Sequence, residues 1–410
     1  MLENSWHKKE NPYIGLTGLG GGVGSNLVGG SGGYSGDLAV AHYNSPYVSV
    51  YPWSSGFGTK YADPSTLPGT AIGTAVAFSP DGADLAVGHQ TAPYISVYPW
   101  SSGFGTKYAN PSTLPAGNGF AIAFSPDGAD IALAHWSSPF ISAYPWSLGT
   151  GFGTKYADPS TLPTKFGTGV AFSPDGADLA VTMDAAPVLH VYPWSGSGFG
   201  TKYADPSTSY AGDGKSVAFS PDGADIAVAQ YSSPRLVVYP WSSGFGTKYS
   251  DPSTLPASAG TGVAFSPSGD DIAVVHTTTP YISVYPWSSG FGTKYADPST
   301  LPGGYSNGVA FSPDSADIAV AHRDSPYVTA YPWSSGFGTK YSDPSTLPAG
   351  DGQSVAFSPD GADIAVGHVG TGYLNVYPWT SGTGFGTKYS DPSTAVPSYG
   401  NGVAFSPATA

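Results

Sequence analysis

Six histidines recur at one place in a repeated sequence: His42, His89, His135, His276, His322 and His368. Each closes a short apolar run such as Asp84-Leu85-Ala86-Val87-Gly88-His89. A ring of imidazoles suggests metal, but zinc needs every ligand within about 2 Å, and one histidine per repeat sets neighbours far beyond that. Met183 and Gln230 fill the two remaining places. A structural imidazole, bonded to its own loop or to the next repeat, is therefore expected. Asp81 and Asp84, repeated as Asp-Gly-Ala-Asp, are the second candidates, for calcium. Calcium wants more oxygens than two carboxylates supply; a turn explains the first Asp and a bond to backbone the second. The sequence shows no isolated carboxylate pair, no Ser-His-Asp set and no phosphate-binding glycine loop joined to a helix. The expectation is no enzyme, no metal and no cofactor.

These residues sit in a repeat that spans almost the whole chain. Tyr-Pro-Trp ends at Trp53, Trp100, Trp146, Trp194, Trp241, Trp287, Trp333 and Trp379, a period of 46 to 48 residues. Ala-Phe-Ser-Pro also occurs eight times, with Phe at 78, 124, 172, 219, 265, 311, 357 and 405. Such a period means a repeat architecture. One unit reads as four strands: a, residues 76–78; b, 84–89; c, 94–98, ending at Pro99-Trp100; and d, the short 105–108. Ser-Pro-Asp-Gly between a and b, and Ser-Ser-Gly-Phe-Gly between c and d, are tight-turn signals. Strand c alternates Tyr94, Ser96 and Tyr98 with Ile95 and Val97, so both faces suit burial and each small sheet is sandwiched between others.

The two ends of the repeat array are complementary. The array stops with Asn401-Gly402-Val403-Ala404-Phe405-Ser406-Pro407, a strand a with no partner after it. It starts with Asp37-Leu38-Ala39-Val40-Ala41-His42, a strand b with no strand a before it. Together they complete one unit and remove the exposed edges an open array would carry. The prediction is an all-β fold: residues 36–410 form an eight-bladed β-propeller of four-stranded blades, closed by the C-terminal strand a on the N-terminal strands b, c and d. AFSPDG, a small apolar strand and a strand ending in Trp resemble the WD-repeat family, which implies the same fold. The chain lacks that family's Gly-His pair before strand a, and Ser or Thr follows its Trp where Asp is usual. The family's buried hydrogen-bond network is therefore not carried over, and a shared fold does not specify function.

Charged residues make up only 10% of the chain, and the net charge is −14. Eight of the fourteen cations are the dispersed repeat lysines, such as Lys60 and Lys107. That argues against nucleic acid and anionic membranes as partners. No cysteine is present, which rules out disulfides and thiolate metal sites. The sequence shows neither an apolar signal core nor a span of membrane-crossing length, so a soluble chain without membrane insertion is expected.

What varies from unit to unit is more informative. The b–c loops differ in nearly every unit, at Tyr43, Gln90, Trp136, Asp184, Tyr231, Arg323 and Asp324 among others. The d–a connections differ too, with Phe120, Lys165-Phe166, Tyr210, Asp213, Lys215, Tyr305 and Tyr399. Alternating strand direction brings both sets to one face. Variation on one face of a constant scaffold is how binding surfaces are built, with drift in solvent loops as the plainer explanation. Outward Tyr and Trp suit stacking on sugars or contacts with peptides.

Residues 1–35 form a separate, glycine-rich arm. Trp6, Tyr13, Ile14 and Leu16 are anchors that a plain spacer would not need. The segment Pro-Tyr-Ile-Gly-Leu-Thr-Gly-Leu-Gly-Gly-Gly (12–22) resembles the N-terminal segments of tailed-bacteriophage virion proteins. That resemblance implies a virion structural protein, a capsid decoration or a tail-associated fibre. Its arm would contact other virion proteins in a multi-copy assembly, and its propeller would face a host-surface glycan or receptor. The competing expectation is a cytoplasmic, non-enzymatic propeller scaffold for protein partners.

Overall fold

The computed structural model describes residues 34–206 and 212–407. The anchors Trp6, Tyr13, Ile14 and Leu16, and Tyr210 of the variable loops, lie outside the described residues. Eight antiparallel sheets form the blades; seven run in chain order from an inner strand outwards, and blade 1 takes its inner strand from the C-terminal Gly400–Phe405. Blade 2 sets the pattern: strand a is Gly73–Phe78, b is Asp84–His89 and c is Ile95–Pro99. Val76 pairs with Val87, and Val87 in turn with Ser96. The Ser-Pro-Asp-Gly turn closes with Gly82 at φ 71°, a left-handed conformation that glycine adopts without strain. Blade 7 holds Ser315 there at φ 59°.

The ring closes as the termini of the array predict. Leu38 pairs with Phe405, Ala39 with Ala404 and Val40 with Val403. Tyr34, just ahead of strand b, donates its hydroxyl to the Ser406 carbonyl at 2.7 Å and sets its ring edge-on to Phe405.

The fourth strand is shorter than expected and sits slightly earlier. In blades 3, 4 and 8 it is a two-residue stub (Gly151–Phe152, Gly198–Phe199, Gly384–Phe385); in the other five it is a single Trp–Phe bridge such as Trp100–Phe104. Beyond that bridge only sparse bonds continue, Gly105 N to the Pro99 carbonyl at 2.8 Å and Tyr108 N to Val97 at 3.0 Å. Proline explains the truncation. The carbonyl of Pro99 faces strand d, so its missing N–H is lost from that same side of the ladder.

The core is a series of inter-blade layers, not one centre. Between blades 1 and 2, the small face of one sheet (Ala39, Ala41, Val48, Val50) meets the large face of the next (Leu85, Val87, Tyr98, Trp100). The alternation along strand b, Leu-Ala-Val-Gly, thus gives each blade one thin and one thick face. Thin on thick repeats around the ring and lets the blades interdigitate at interior density.

Candidate variable-face site

Each b–c loop is bracketed by a bond from the last strand-b amide to the carbonyl five residues on, and in every blade but blade 4 by a second bond inside the loop. In blade 1 the Tyr47 carbonyl accepts from His42 N at 3.0 Å, and Tyr47 N donates to Asn44 at 2.8 Å. The residues between the brackets carry the variation and point off the face. Among the described residues, every exposed large aromatic side chain lies in a b–c loop or a d–a connection: Tyr43, Trp136, Tyr231 and Tyr399. Arg323 and Asp324 are exposed on the same face, while Gln90, Asp184, Phe166 and Tyr305 are half-buried.

The inner strand presents more than the Val-Ala-Phe of its repeated motif (76–78). Every described strand a paired to its neighbour along its length carries a β-bulge after its first residue, for example between Gly73 and Ala75. A bulge re-aims the extra side chain. Thr74 thereby donates to the Gly119 carbonyl of the next blade at 2.7 Å, and Asn401 donates to Gly73 at 3.0 Å, linking blades at the channel rim. Phe120 and Lys215 occupy this same position in blades 3 and 5. Phe120, expected on the binding surface, is therefore only 5% exposed and acts as a floor beneath it.

Two groups of predicted residues come together. Over blades 3 and 4, Trp136 stacks on Phe166 (centroids 4.3 Å apart, planes at 13°), with Phe120 edge-on to Trp136 at 5.9 Å. Beside them Asp184 sits between Lys215 at 3.1 Å and Lys165 at 3.7 Å, and Lys215 is 3.7 Å from Asp213. Burial pushes the Asp213 carboxyl above its usual range, against the opposing pull of Lys215. At the closing seam Tyr399 lies 6.0 Å from Tyr43 and 5.9 Å from Tyr373. Tyr231 adjoins the first group, its backbone amide donating to the Asp213 carbonyl at 2.9 Å, while Arg323 stands apart and pairs with Asp351 at 3.3 Å.

The recurring histidines are fully buried, and each Nε2 meets strand c, as in His42–Ser49 (3.0 Å) and His322–Thr329 (2.8 Å). His276 and His322 also bond their own loop carbonyls through Nδ1, both at 2.8 Å. Burial lowers all six, and His190, to about 4. A folded pKa below the unfolded value near 6.5 means that folding excludes protons. The stability is whole above pH 6.5 and is lost as pH falls toward 4, on the order of 3 kcal/mol per histidine over that window. The melting temperature is expected to fall steeply below about pH 6, and His276→Met, which borrows the residue of blade 4, should flatten that slope. An unchanged slope in circular-dichroism melts would count against it.

Sequence reasoning missed what the aspartates do. Asp81 does serve its turn, accepting from Ser79 Oγ at 2.6 Å and Ala83 N at 3.0 Å. Asp84 instead accepts from Tyr108 at 3.0 Å and from Trp146 of the next blade at 2.8 Å. The same pair of bonds recurs at all eight blade junctions and crosses the seam from Trp53 to Asp363 at 2.7 Å. Asp, Tyr and Trp recur together in every unit, which was the available signal. These carboxylates are latches between blades, not ligands awaiting a cation. A shallow cleft of about 330 Å³ opens beside one latch, at Asp130, Tyr156 and Trp194, on the opposite face from the variable loops.

No protein-family model matches the chain, and no curated protein sequence matches it. Among solved structures, it is similar to one described as a "putative 6-phosphogluconolactonase" from Bacteroides fragilis (13% identity, 92% of this chain, 99% of that one, TM-score 0.57). It is also similar to the periplasmic gluconolactonase PpgL of Pseudomonas aeruginosa (15%, 79%, 99%, 0.53) and to the β-propeller domain of Cps50 (Swd1) from Myceliophteria thermophila (14%, 75%, 97%, 0.52). These likenesses establish the propeller fold. They also overturn the expectation that the chain is no enzyme, because this architecture includes a gluconolactonase and the missing triad or glycine loop was no ground for exclusion. The chain is an all-β propeller of eight blades.

Proposed function

We propose that this chain is an attachment protein of a bacteriophage virion: residues 1–35 anchor it to other virion proteins, and the propeller presents its variable face to a host-surface glycan or receptor. One observation carries the binding half, the confinement of all exposed large aromatics among the described residues to the b–c and d–a face. Solvent drift alone would scatter such side chains over both faces, where they cost solubility. The virion half rests on the resemblance of residues 12–22. Many copies on a symmetric particle would add avidity to a weak single contact.

Two measurements test the halves separately. Replacing Trp136, Tyr231 and Tyr43 together by Ala should weaken attachment to host cells severalfold, with the melting temperature nearly unchanged, since each ring is worth about 1 kcal/mol to a stacked ligand. Full attachment after all three changes would dismiss the face, and binding that disappears on protease treatment of the cells would assign a protein receptor. Deleting residues 1–33, which spares Tyr34 at the closing seam, should leave a folded propeller that no longer enters particles. Normal incorporation would dismiss the anchor.

A further inference from the structure

We propose that the Trp136–Phe166 shelf and the charges beside it form a binding site for a neutral hexopyranoside; this rests on the attachment reading and narrows it to one place and one ligand class. The first argument is where the repeats stop repeating. Met183 replaces the strand-b histidine in blade 4 and His190 the facing serine of strand c, and Gln230 replaces the histidine in blade 5. Outside the arm and the repeated Gly-Thr-Lys-Tyr, the chain has only four cations: Lys165, Lys215, Arg235 and Arg323. All four map to the variable face, and three belong to blades 4 and 5. Departures from a near-identical repeat thus concentrate beside the aromatic stack.

The second argument is chemical. Trp136 is 42% exposed while Phe120 below is 5% exposed, so the stack is a supported platform with its outer ring open. Such a platform suits the apolar C–H face of a pyranose. Next to it the side chains alternate in sign, Lys165, Asp184, Lys215, Asp213, with successive gaps of 3.7, 3.1 and 3.7 Å. Ammonium groups only donate and carboxylates only accept. A hydroxyl needs both, and vicinal hydroxyls spaced like neighbouring charges find a donor and an acceptor each. The four charges cancel locally, and the chain as a whole carries −14. An anionic sugar would gain nothing from the cluster and be repelled at long range. The neutral sugar is what remains.

The experiment is saturation-transfer NMR on the full-length protein with methyl glucoside, methyl galactoside and methyl mannoside, and methyl glucuronide as the charged control. At least one neutral glycoside should receive saturation, mainly on the protons of one ring face, and the glucuronide should receive less. Trp136→Ala should weaken binding at least about fivefold, Asp184→Asn should also weaken it, and Tyr43→Ala at the distant seam should not. Silence from all three neutral glycosides, preference for the glucuronide, or undiminished binding by Trp136→Ala would each overturn the proposal. If no neutral glycoside binds while the triple variant still loses cell attachment, this site falls and the attachment reading stands. If neither responds, both fall.

Discussion

A chain lacking residues 400–410 is expected to lose cooperative folding altogether, not one blade's share of stability. The missing strand, Gly400–Phe405, is the inner strand of blade 1. It satisfies the ladder groups of Leu38, Ala39 and Val40, and it packs Val403 and Ala404 against the strands on either side. Withdrawing the buried side chains costs roughly 3–5 kcal/mol by transfer alone, and several ladder bonds follow at about 1 kcal/mol each. Total stability for a domain is about 5–15 kcal/mol, so most of it is removed at once. The strand edge left behind invites pairing between molecules. Gel filtration and thermal melts should show aggregation or no transition. A peptide of residues 400–407 should partly restore a melt by adding the strand back. A truncated protein that melts within a few degrees of the parent would mean the ring does not depend on its seam.

The second large effect belongs to the inter-blade latch. Asp178 accepts from Tyr203 at 2.9 Å and from Trp241 at 2.7 Å, and its side chain is buried. Asp178→Ala leaves a buried indole N–H and a phenol without their acceptor, at an expected cost of about 3–5 kcal/mol. Asp178→Asn should cost far less. Burial raises the carboxyl above its usual range even though Trp241 and Tyr203 pull it down, so the folded state takes up a proton more readily than the unfolded chain. The sign is opposite to that of the histidines. Stability from this carboxyl is greatest below its unfolded pKa and declines as pH rises through its folded one. At neutral pH the neutral amide therefore keeps an acceptor for the indole without burying a charge. Urea titrations of both variants at pH 7 check this, and equal losses for Ala and Asn would remove the latch from the account.

Most of the architecture was legible because repetition makes each position vote eight times. The complementary half-units at residues 37–42 and 401–407 gave ring closure directly, since a strand b and a strand a can only complete each other. The extent of strand d was not legible, because Gly105–Tyr108 carries strand-like residues while the limit comes from Pro99 on its neighbour. The roles of Asp84 and Phe120 were hidden for a related reason. The carboxylate's partner Trp146 lies 62 residues away in the next blade, and the phenylalanine is turned by a bulge that no local pattern announces. At the variable face the sequence identified Trp136, Phe166 and Asp184 as loop positions that differ, but their convergence with Lys215 depends on blades 3 to 5 standing side by side.

The brackets around the b–c loops have a consequence for how far the blades can differ. Because the amide of the last strand-b residue and the carbonyl five residues on close the same bond in each blade, as at His42–Tyr47 and His276–Tyr281, both ends of the loop are held by backbone whatever side chains lie between them. A side-chain substitution there leaves these backbone bonds in place. The loop of one blade is thus framed by the same backbone bond as the loop of any other. The outward vocabulary of the disc can therefore differ from blade to blade while the bond that closes each loop stays the same.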